Sequence, residues 1–276
     1  MQRLCLGLWL LFSLLLAAEG RATELMPWFD KDREFELRTS YAFQHYHRIA
    51  RKSTLISRPA YNHFCQLSLG ISKDDRLNAE IEGSLAATRD HSFNLECGRL
   101  TLRCKFLDDV IGDQLSLVGG VTFIAPTKLF LHDISCMFHG EYAWEGHLAI
   151  GKEQVCRSFW TTRWWGVFKS GLANRGSPWV SLLAAWEKNY FNQHQWRIYA
   201  EVLAGMGQRP IPLNLHMIFP GYDSIKHRSA DVGVRYSYLT PCSATLTLEW
   251  AWRLYAYNFP ANANKVLCTL LYSFGL

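Results

Sequence analysis

The sequence predicts an all-β protein, an antiparallel transmembrane β-barrel of about 12 strands. Apolar and polar residues alternate with a period of two through most of the chain, which is typical of strands with two different faces. The alternating runs often reach roughly ten residues, whereas strands of soluble proteins usually have about five or six. Trp and Tyr residues lie near the ends of these runs, as expected for aromatic girdles at membrane interfaces. These aromatic residues include Tyr61, Trp160, Trp179, Trp186, Tyr255 and Tyr257.

The alternation is clearest between Ala244 and Leu254, where the even positions are apolar or aromatic and would face lipid. The odd positions include Thr245, Thr247 and Glu249, which we expect to face the barrel interior. A soluble sandwich shows the same alternation with its apolar face buried, so strand length and aromatic placement favour the membrane. The pattern recurs in Ala79–Leu85, Gly98–Phe106 and Phe138–Leu148.

Division of the whole chain by this pattern predicts an even number of strands, as a single-chain membrane barrel requires. The run from Val180 to Met206 would also be compatible with a helix. The predicted strands are Glu34–Tyr46, His63–Ser72, Asn78–Thr88, Phe93–Leu107, Gln114–Ala125, Ser135–Ile150, Ser158–Leu172, Trp179–Lys188, Gln195–Met206, Ala230–Tyr238, Ser243–Tyr257 and Lys265–Leu276.

The predicted connections alternate between short and long, which places all the short ones at one end of the barrel. The longer ones at the other end include Arg51–Asn62 and Gly207–Ser229. The short turns are Lys73–Asp75, Asp108–Asp113, Lys152–Arg157, Asn189–His194 and Leu239–Cys242.

The N-terminus reads as a signal peptide over residues 1–22, which leaves residues 23–276 for the barrel domain. Arg3 precedes an apolar run from Leu4 to Ala18 that is short for a membrane-spanning helix. Gly20 and Ala22 supply the small residues of a cleavage site, so the mature chain would begin near Thr23. The alternative is an uncleaved N-terminal anchor.

Composition excludes several other classes of protein. The net charge of +5 is modest and its Lys and Arg residues are dispersed, so no nucleic acid partner is expected. No Pro- or Ser-rich linker divides the chain, and one domain is predicted. The cysteines form no CxxC motif and no metal or cofactor is expected. Cys65, Cys104, Cys136 and Cys268 fall within predicted strands, whereas Cys156 and Cys242 fall in turns where a disulfide is conceivable.

The C-terminus carries a further signal. Apolar residues occupy every second position from Val266 to Leu276, and the last aromatic residue is Phe274. This ending resembles the C-terminal strand of bacterial outer-membrane β-barrel proteins, most of which end in Phe or Trp. The resemblance implies export to the cell outer membrane, contact with outer-membrane lipid and folding by the barrel-assembly machinery. The assembly signal would then consist of Leu270, Tyr272, Phe274 and Leu276.

The inward positions decide the function of such a barrel. Acidic and basic residues are nearly balanced there, which predicts either a self-paired interior or a narrow passive channel for small polar solutes with weak ion selectivity. The predicted lumen-lining residues are Arg38, Glu80, Glu82, Arg99, Arg103, Lys105, Glu141, Glu145, Arg163, Arg197, Glu201, Arg235, Glu249 and Arg253.

Two alternative functions are compatible with the sequence. The His227–Ser229 tripeptide resembles the His-x-Ser pair of outer-membrane phospholipases and lipid A deacylases, in which His acts as general base for Ser. The predicted orientation turns both residues inward, away from lipid, so no catalytic residue is assigned. An envelope or adhesion protein would instead act through Gly207–Ser229, which is long enough to present a binding surface or fold inward as a constriction.

Overall fold

Strands with one polar and one apolar face close into a barrel, as the alternation predicts. The computed structural model describes residues 24–29, 32–155, 160–191, 193–212 and 219–275. The described residues form 13 antiparallel strands and one short helix, α1 (Lys128–Leu131). The strands are β1 (Glu34–Arg51), β2 (Thr54–Lys73), β3 (Leu77–Ala87), β4 (Asn94–Leu107), β5 (Ser116–Pro126), β6 (Ala143–Val155), β7 (Trp160–Ala173), β8 (Trp179–Tyr190), β9 (His194–Met206), β10 (Lys226–Leu239), β11 (Ala244–Tyr257), β12 (Phe259–Ala261) and β13 (Asn264–Gly275).

Strand β1 closes the barrel because it pairs on one edge with β2 and on the other with β13. The three-residue β12 continues that second edge, where it pairs with Arg48–Ala50 of β1. The remaining strands pair in sequence order from β2 to β11, and β11 pairs with β13. A closed ladder leaves no long strand with an unpaired edge. The predicted barrel of about 12 strands is therefore confirmed, with β12 as an addition.

The two faces of each strand differ in the predicted sense. In β11, Leu248 and Trp250 are half exposed on the outer surface, whereas Thr247 and Ala251 are buried inside. The outer surface as a whole carries many large apolar residues from most of the strands. The helical alternative for Val180–Met206 is wrong, because this run forms the β8–β9 hairpin.

The longest connections lie together at one end of the barrel, as predicted. At the turn end, β2–β3, β4–β5, β8–β9 and β10–β11 are joined by the short segments 74–76, 108–115, 191–193 and 240–243. At the loop end, the longest connections are the β5–β6 connection (127–142) and the β9–β10 connection (207–225). Residues 156–159 and 213–218 lie outside the described residues. The predicted turn at Lys152–Arg157 begins later than expected, because β6 continues to Val155.

The predicted long loop Arg51–Asn62 is wrong. Arg51 pairs directly with Thr54 across a two-residue turn, and the rest of this stretch belongs to β2. Backbone pairing continues there although apolar alternation stops, since a strand that projects beyond the apolar belt needs no apolar face. Pro59, which has no N–H to donate, falls beside the shift in register between Tyr46 and Arg48.

The predicted strand Ser135–Ile150 is also wrong in its first half, since β6 begins only at Ala143. Ile134, Cys136 and Phe138 belong instead to the β5–β6 connection, where they are buried in two apolar clusters. Alternation in this stretch reflects packing of a folded connection. Among the described residues, no helix combines the length and the apolar character that a membrane crossing requires.

Candidate functional site

The barrel interior is the candidate functional site because it gathers most of the charged side chains of the strands. Alternation directs these residues inward, and the closed sheet places them opposite one another. On the inner face lie Arg38, Glu80, Glu82, Arg99, Arg103, Lys105, Glu145, Arg163, Arg197, Glu201, Arg235, Glu249 and Arg253.

Glu141 does not line the interior, in contrast to the prediction. It precedes β6, in the β5–β6 connection, and its side chain is 46% exposed. Its carboxylate lies 3.9 Å from the exposed guanidinium of Arg175 at the rim. The prediction was wrong because it began this strand at Ser135. The alternation that turns every second side chain of β6 inward applies only from Ala143 onward.

Most interior charges form ion pairs. Arg253 binds Asp231 through two nitrogens, at 2.7 and 2.8 Å. Arg163 donates to Glu153 at 2.5 Å, and Lys169 Nζ lies 2.8 Å from Glu201 Oε1. Confined charges need such partners or water, because an unpaired buried charge is strongly unfavourable.

A second occupant of the interior comes from the chain itself. Residues 24–29, here called the N-terminal segment, enter from the turn end and lie inside the barrel. Leu25 and Met26 pack against a buried cluster that includes Val118, Trp165 and Val167. Strand periodicity does not predict this segment, since its six residues show no alternation. The available signal was a group of apolar and aromatic residues between the cleavage site and the first strand.

Aromatic residues anchor the lower part of the N-terminal segment. Trp28 Nε1 donates a 2.9 Å hydrogen bond to Asp109 Oδ1 in the β4–β5 turn. The Phe29 ring lies 4.8 Å from Lys105 Nζ, within cation–π range. Gly151 makes room for this packing, because a Cβ atom there would lie 2.7 Å from the Trp28 ring and 2.8 Å from Pro27.

Charged contacts hold the upper end of the N-terminal segment. The Glu24 carboxylate forms a close ion pair with Arg235 and lies 3.4 Å from Arg197. Arg103 donates a 2.7 Å hydrogen bond to the Glu24 backbone carbonyl. These three arginines belong to β10, β9 and β4, so Glu24 links distant parts of the barrel wall.

Asp109 is suited to its anchoring role. Burial by itself would raise the pKa of its carboxyl, but hydrogen bonds from the Glu153 backbone, Ser116 and Trp28 outweigh that effect and lower the pKa below its usual value. The group therefore stays ionised, and accepts hydrogen bonds, into the acidic range.

Apolar residues pack together at the loop end. Ile134 of the β5–β6 connection and Ile211 and Tyr222 of the β9–β10 connection belong to one buried cluster. Tyr222 Oη donates a 2.8 Å hydrogen bond to the Ile134 carbonyl. Arg51 Nε donates a 2.7 Å hydrogen bond to the Ile211 carbonyl, which ties the β9–β10 connection to β1.

A cavity of about 280 Å³, lined by many charged residues, remains between the N-terminal segment and the loop end. Glu24 and Leu25 border it from the turn end, and Met137 and Phe138 border it from the loop end. Its basic lining residues are Arg38, Arg99, Lys169, Arg197, Arg235, Arg253 and Lys265, and its acidic ones are Glu24, Glu96, Glu201, Asp231 and Glu249.

The His227–Ser229 pair lies inside the barrel, as its parity predicts. Both residues are buried, and His227 faces the Ile225 carbonyl with Nδ1 at 3.0 Å. Its Nε2 lies 3.3 Å from Nε2 of His139. Neither ring nitrogen is thus directed at a lipid substrate, and the geometry does not support a hydrolase.

Trp179 departs from its predicted place in the outer aromatic girdle. It is buried, its ring stacks on His139 at 3.9 Å, and its Nε1 donates to Glu145 at 3.3 Å. Trp179 lies two residues before the buried Ser181, so both side chains lie on the inner face of β8. Tyr61, Trp160, Trp186 and Tyr255 do lie exposed on the outside.

The described cysteines carry free thiols. Cys156 lies outside the described residues, so its pairing with Cys242 stays a prediction. Within the described ranges, no group of three or more His, Cys, Asp or Glu side chains is placed to bind a metal ion.

Among solved structures, the barrel is similar to an outer-membrane channel from Pseudomonas putida F1. The TM-score is 0.63 at 13% sequence identity, over 91% of this chain and 99% of that chain. This chain has the fold of bacterial outer-membrane β-barrel proteins. The predicted resemblance to that class is confirmed at the level of architecture.

Two porins share this outer-membrane barrel fold at greater distance. The KdgM porin, solved in complex with disordered oligogalacturonate, has a TM-score of 0.51 at 9% identity, over 85% of this chain and 99% of that chain. The NanC porin has a TM-score of 0.50 at 10% identity, over 87% of this chain and all of that chain. No protein-family model and no curated protein matches the sequence. At sequence identities this low, the structural similarity establishes a shared fold and nothing more.

Proposed function

We propose that this protein is a passive channel of the outer membrane for small polar solutes, closed at its turn end by the N-terminal segment. The single observation that carries the proposal is the charged cavity between Glu24 and the loop end. A purely structural barrel has no need for a chamber of this size lined by charged residues. The exposed apolar outer surface supports the membrane location, since a soluble monomer rarely exposes so much apolar area.

The contacts that hold the N-terminal segment support a reversible closure of the channel. Hydrogen bonds, ion pairs and ring contacts attach it to the wall, and it adds no strand to the sheet. Signal-peptide cleavage after Ala22 is part of the proposal, because it leaves a single residue before Glu24 inside the barrel. Export would thus generate the end that closes the channel.

Planar-bilayer recording tests this proposal. Protein that begins at Thr23 is compared with a variant that lacks residues 24–29, after heat-modifiable gel mobility has shown that both are folded. We expect small or intermittent currents from the complete chain and severalfold larger, steady currents from the variant. Silence from both folded proteins, and from the loop-end variant described next, would refute the channel.

The loop end is tested in the same recordings. A variant in which a short Gly-Ser linker replaces residues 209–224 removes the buried Ile211, Phe219 and Tyr222 from the mouth. Larger currents from this variant alone would show that the loop end, and not the N-terminal segment, limits conduction. An adhesion function would gain support if neither deletion produced currents and the β9–β10 connection bound a surface partner, although its apolar side chains face inward.

A further inference from the structure

The upper end of the N-terminal segment presents a carboxylate to a group of arginines. Arg197 and Arg235 contact the Glu24 carboxylate from β9 and β10. Arg103 binds its backbone carbonyl, and Arg38 lines the adjoining cavity. Guanidinium groups recognise carboxylates with well-defined geometry, which an ammonium group does not match. Glu24 therefore occupies a carboxylate-binding site made by the barrel wall.

This site is preformed, because other residues hold its arginines in place. Arg197 binds the buried Glu187 through Nε at 2.9 Å, and its guanidinium lies 5.2 Å from the centre of the Trp165 ring. Arg103 binds Asn78 Oδ1 through two nitrogens, at 3.0 and 2.7 Å. Withdrawal of Glu24 would leave both guanidinium groups in position.

Arg235 is held differently. Among the residues that the structure describes, Glu24 is its ion-pair partner, and its buried Nε atom has no hydrogen-bond partner. If Glu24 leaves, Arg235 becomes a confined cation without its counter-charge, which is unfavourable unless another anion replaces it. The open state of the channel thus favours a bound anion at this position.

The cavity supplies room for such an anion beside Glu24. Its volume of about 280 Å³ approaches the lower size of small-molecule sites. Lys169 and Arg253 in its wall are already paired with Glu201 and Asp231. The positive charge that would lose its partner on withdrawal of Glu24 therefore lies at the Glu24 end, although the interior as a whole is nearly balanced.

We infer that small solutes bearing a carboxylate bind at Arg197 and Arg235 in place of the Glu24 side chain, and that Glu24 acts as a built-in competitor that such solutes displace. The inference rests on the proposed channel function and names its solute class. Opening would then be coupled to the arrival of the solute. Selectivity for carboxylates would then follow from Arg197 and Arg235, whereas the nearly balanced total charge predicts only weak ion selectivity.

Calorimetric titration of the folded protein in detergent with sodium glucuronate tests the inference, and glucose serves as the neutral probe of similar size. We expect Glu24→Gln, which keeps the shape but removes the charge, to tighten glucuronate binding roughly tenfold, because it weakens the competitor. Glu141→Gln at the rim is the matched control and should bind as the wild type does. Glucose should not bind to any of them.

The arginine side of the site is tested in the Glu24→Gln background. Addition of Arg235→Met should abolish the gain in affinity, and Arg235→Lys, which keeps the charge without the planar fork, should restore part of it. Unchanged affinity in Glu24→Gln, retained affinity in the Arg235→Met double variant, or equal binding of glucose would each overturn the inference. Because titration does not require conduction, these failures are distinct from a silent bilayer recording, which would refute the channel itself.

Discussion

At the scale of single residues, a large side chain in the barrel interior packs against a glycine on the neighbouring strand. Tyr199 lies beside Gly233 on the neighbouring strand and donates a 2.6 Å hydrogen bond to Glu249. A Cβ atom at Gly233 would lie 2.3 Å from the Tyr199 ring and 2.5 Å from its hydroxyl oxygen. The glycine is therefore required by the close approach of the ring.

We expect Gly233→Ala to displace Tyr199 from Glu249 and to reduce the free energy of unfolding by about 1–3 kcal/mol, the usual range for overpacking. Urea titration of the folded barrel in lipid vesicles, followed by tryptophan fluorescence, measures the change. Gly83→Ala is the matched control, because nothing lies within 4 Å of a Cβ atom there. Equal stability of the two variants would contradict the packing argument.

Residue orientation was largely predictable, whereas residue partners were not. Thr247 and Glu249 face inward because alternation is a local property of each strand. That Glu249 meets Tyr199, and that Glu187 meets Arg197, depends on which strands become neighbours. Trp179 shows the limit of the local argument, since its position near a strand end suggested an interface that its parity excludes.

At the scale of elements, the N-terminal segment depends on the β4–β5 turn for its anchor. Asp109 in that turn accepts hydrogen bonds from Trp28, Ser116 and the Glu153 backbone. Its lowered pKa means that the folded protein favours the ionised form. The stabilisation is complete above the unfolded-state pKa of about 3.9 and is lost as pH falls through the lower folded-state value.

We therefore expect this anchor to hold equally well at neutral and mildly acidic pH, and Asp109→Ala to weaken it at both. Bilayer recordings at the two pH values should show more frequent opening for Asp109→Ala than for the wild type. Asp113→Ala in the same turn is the control, because the Asp113 carboxylate accepts the Asp108 backbone N–H and, among the described residues, makes no hydrogen bond to the N-terminal segment. Similar recordings from the two variants would show that the Trp28 anchor does not govern closure.

The long connections belong to the same scale. Their length and their position at one end follow from strand parity, which the sequence contains. Their inward fold does not, because it results from burial of Ile134, Ile211 and Tyr222 against the barrel mouth. The apolar residues of these connections pack against residues that are distant in sequence. A local sequence pattern therefore does not indicate where they pack.

At the scale of the whole molecule, closure joins the two ends of the chain. Phe35 of β1 and Phe274 of β13 are paired in register, and their rings stack at 5.5 Å on the outer surface. Tyr272 and Phe274 are both exposed outward, as the predicted assembly signal requires, and Leu276 lies outside the described residues. The seam and the proposed assembly signal thus share residues.

We expect Phe274→Ala to reduce the fraction of folded barrel in the outer membrane of expressing cells, as measured by heat-modifiable gel mobility. Phe168→Ala on β7 is the control, since Phe168 is also exposed on the outer face but lies far from the seam. Refolding of both variants into lipid vesicles separates the causes. A defect confined to cells supports recognition by the assembly machinery, whereas an equal defect in vesicles would assign the loss to seam packing alone.

The sequence by itself determined most of the strands, the face that most of their residues occupy and the end at which the connections lie. These properties depend on neighbours within a few positions along the chain, so a period of two reveals them. Only the tertiary structure decided that the interior is occupied by residues 24–29 and that Glu24 meets arginines of β4, β9 and β10. Those contacts exist because closure brings together residues more than 70 positions apart, and no local pattern records that distance.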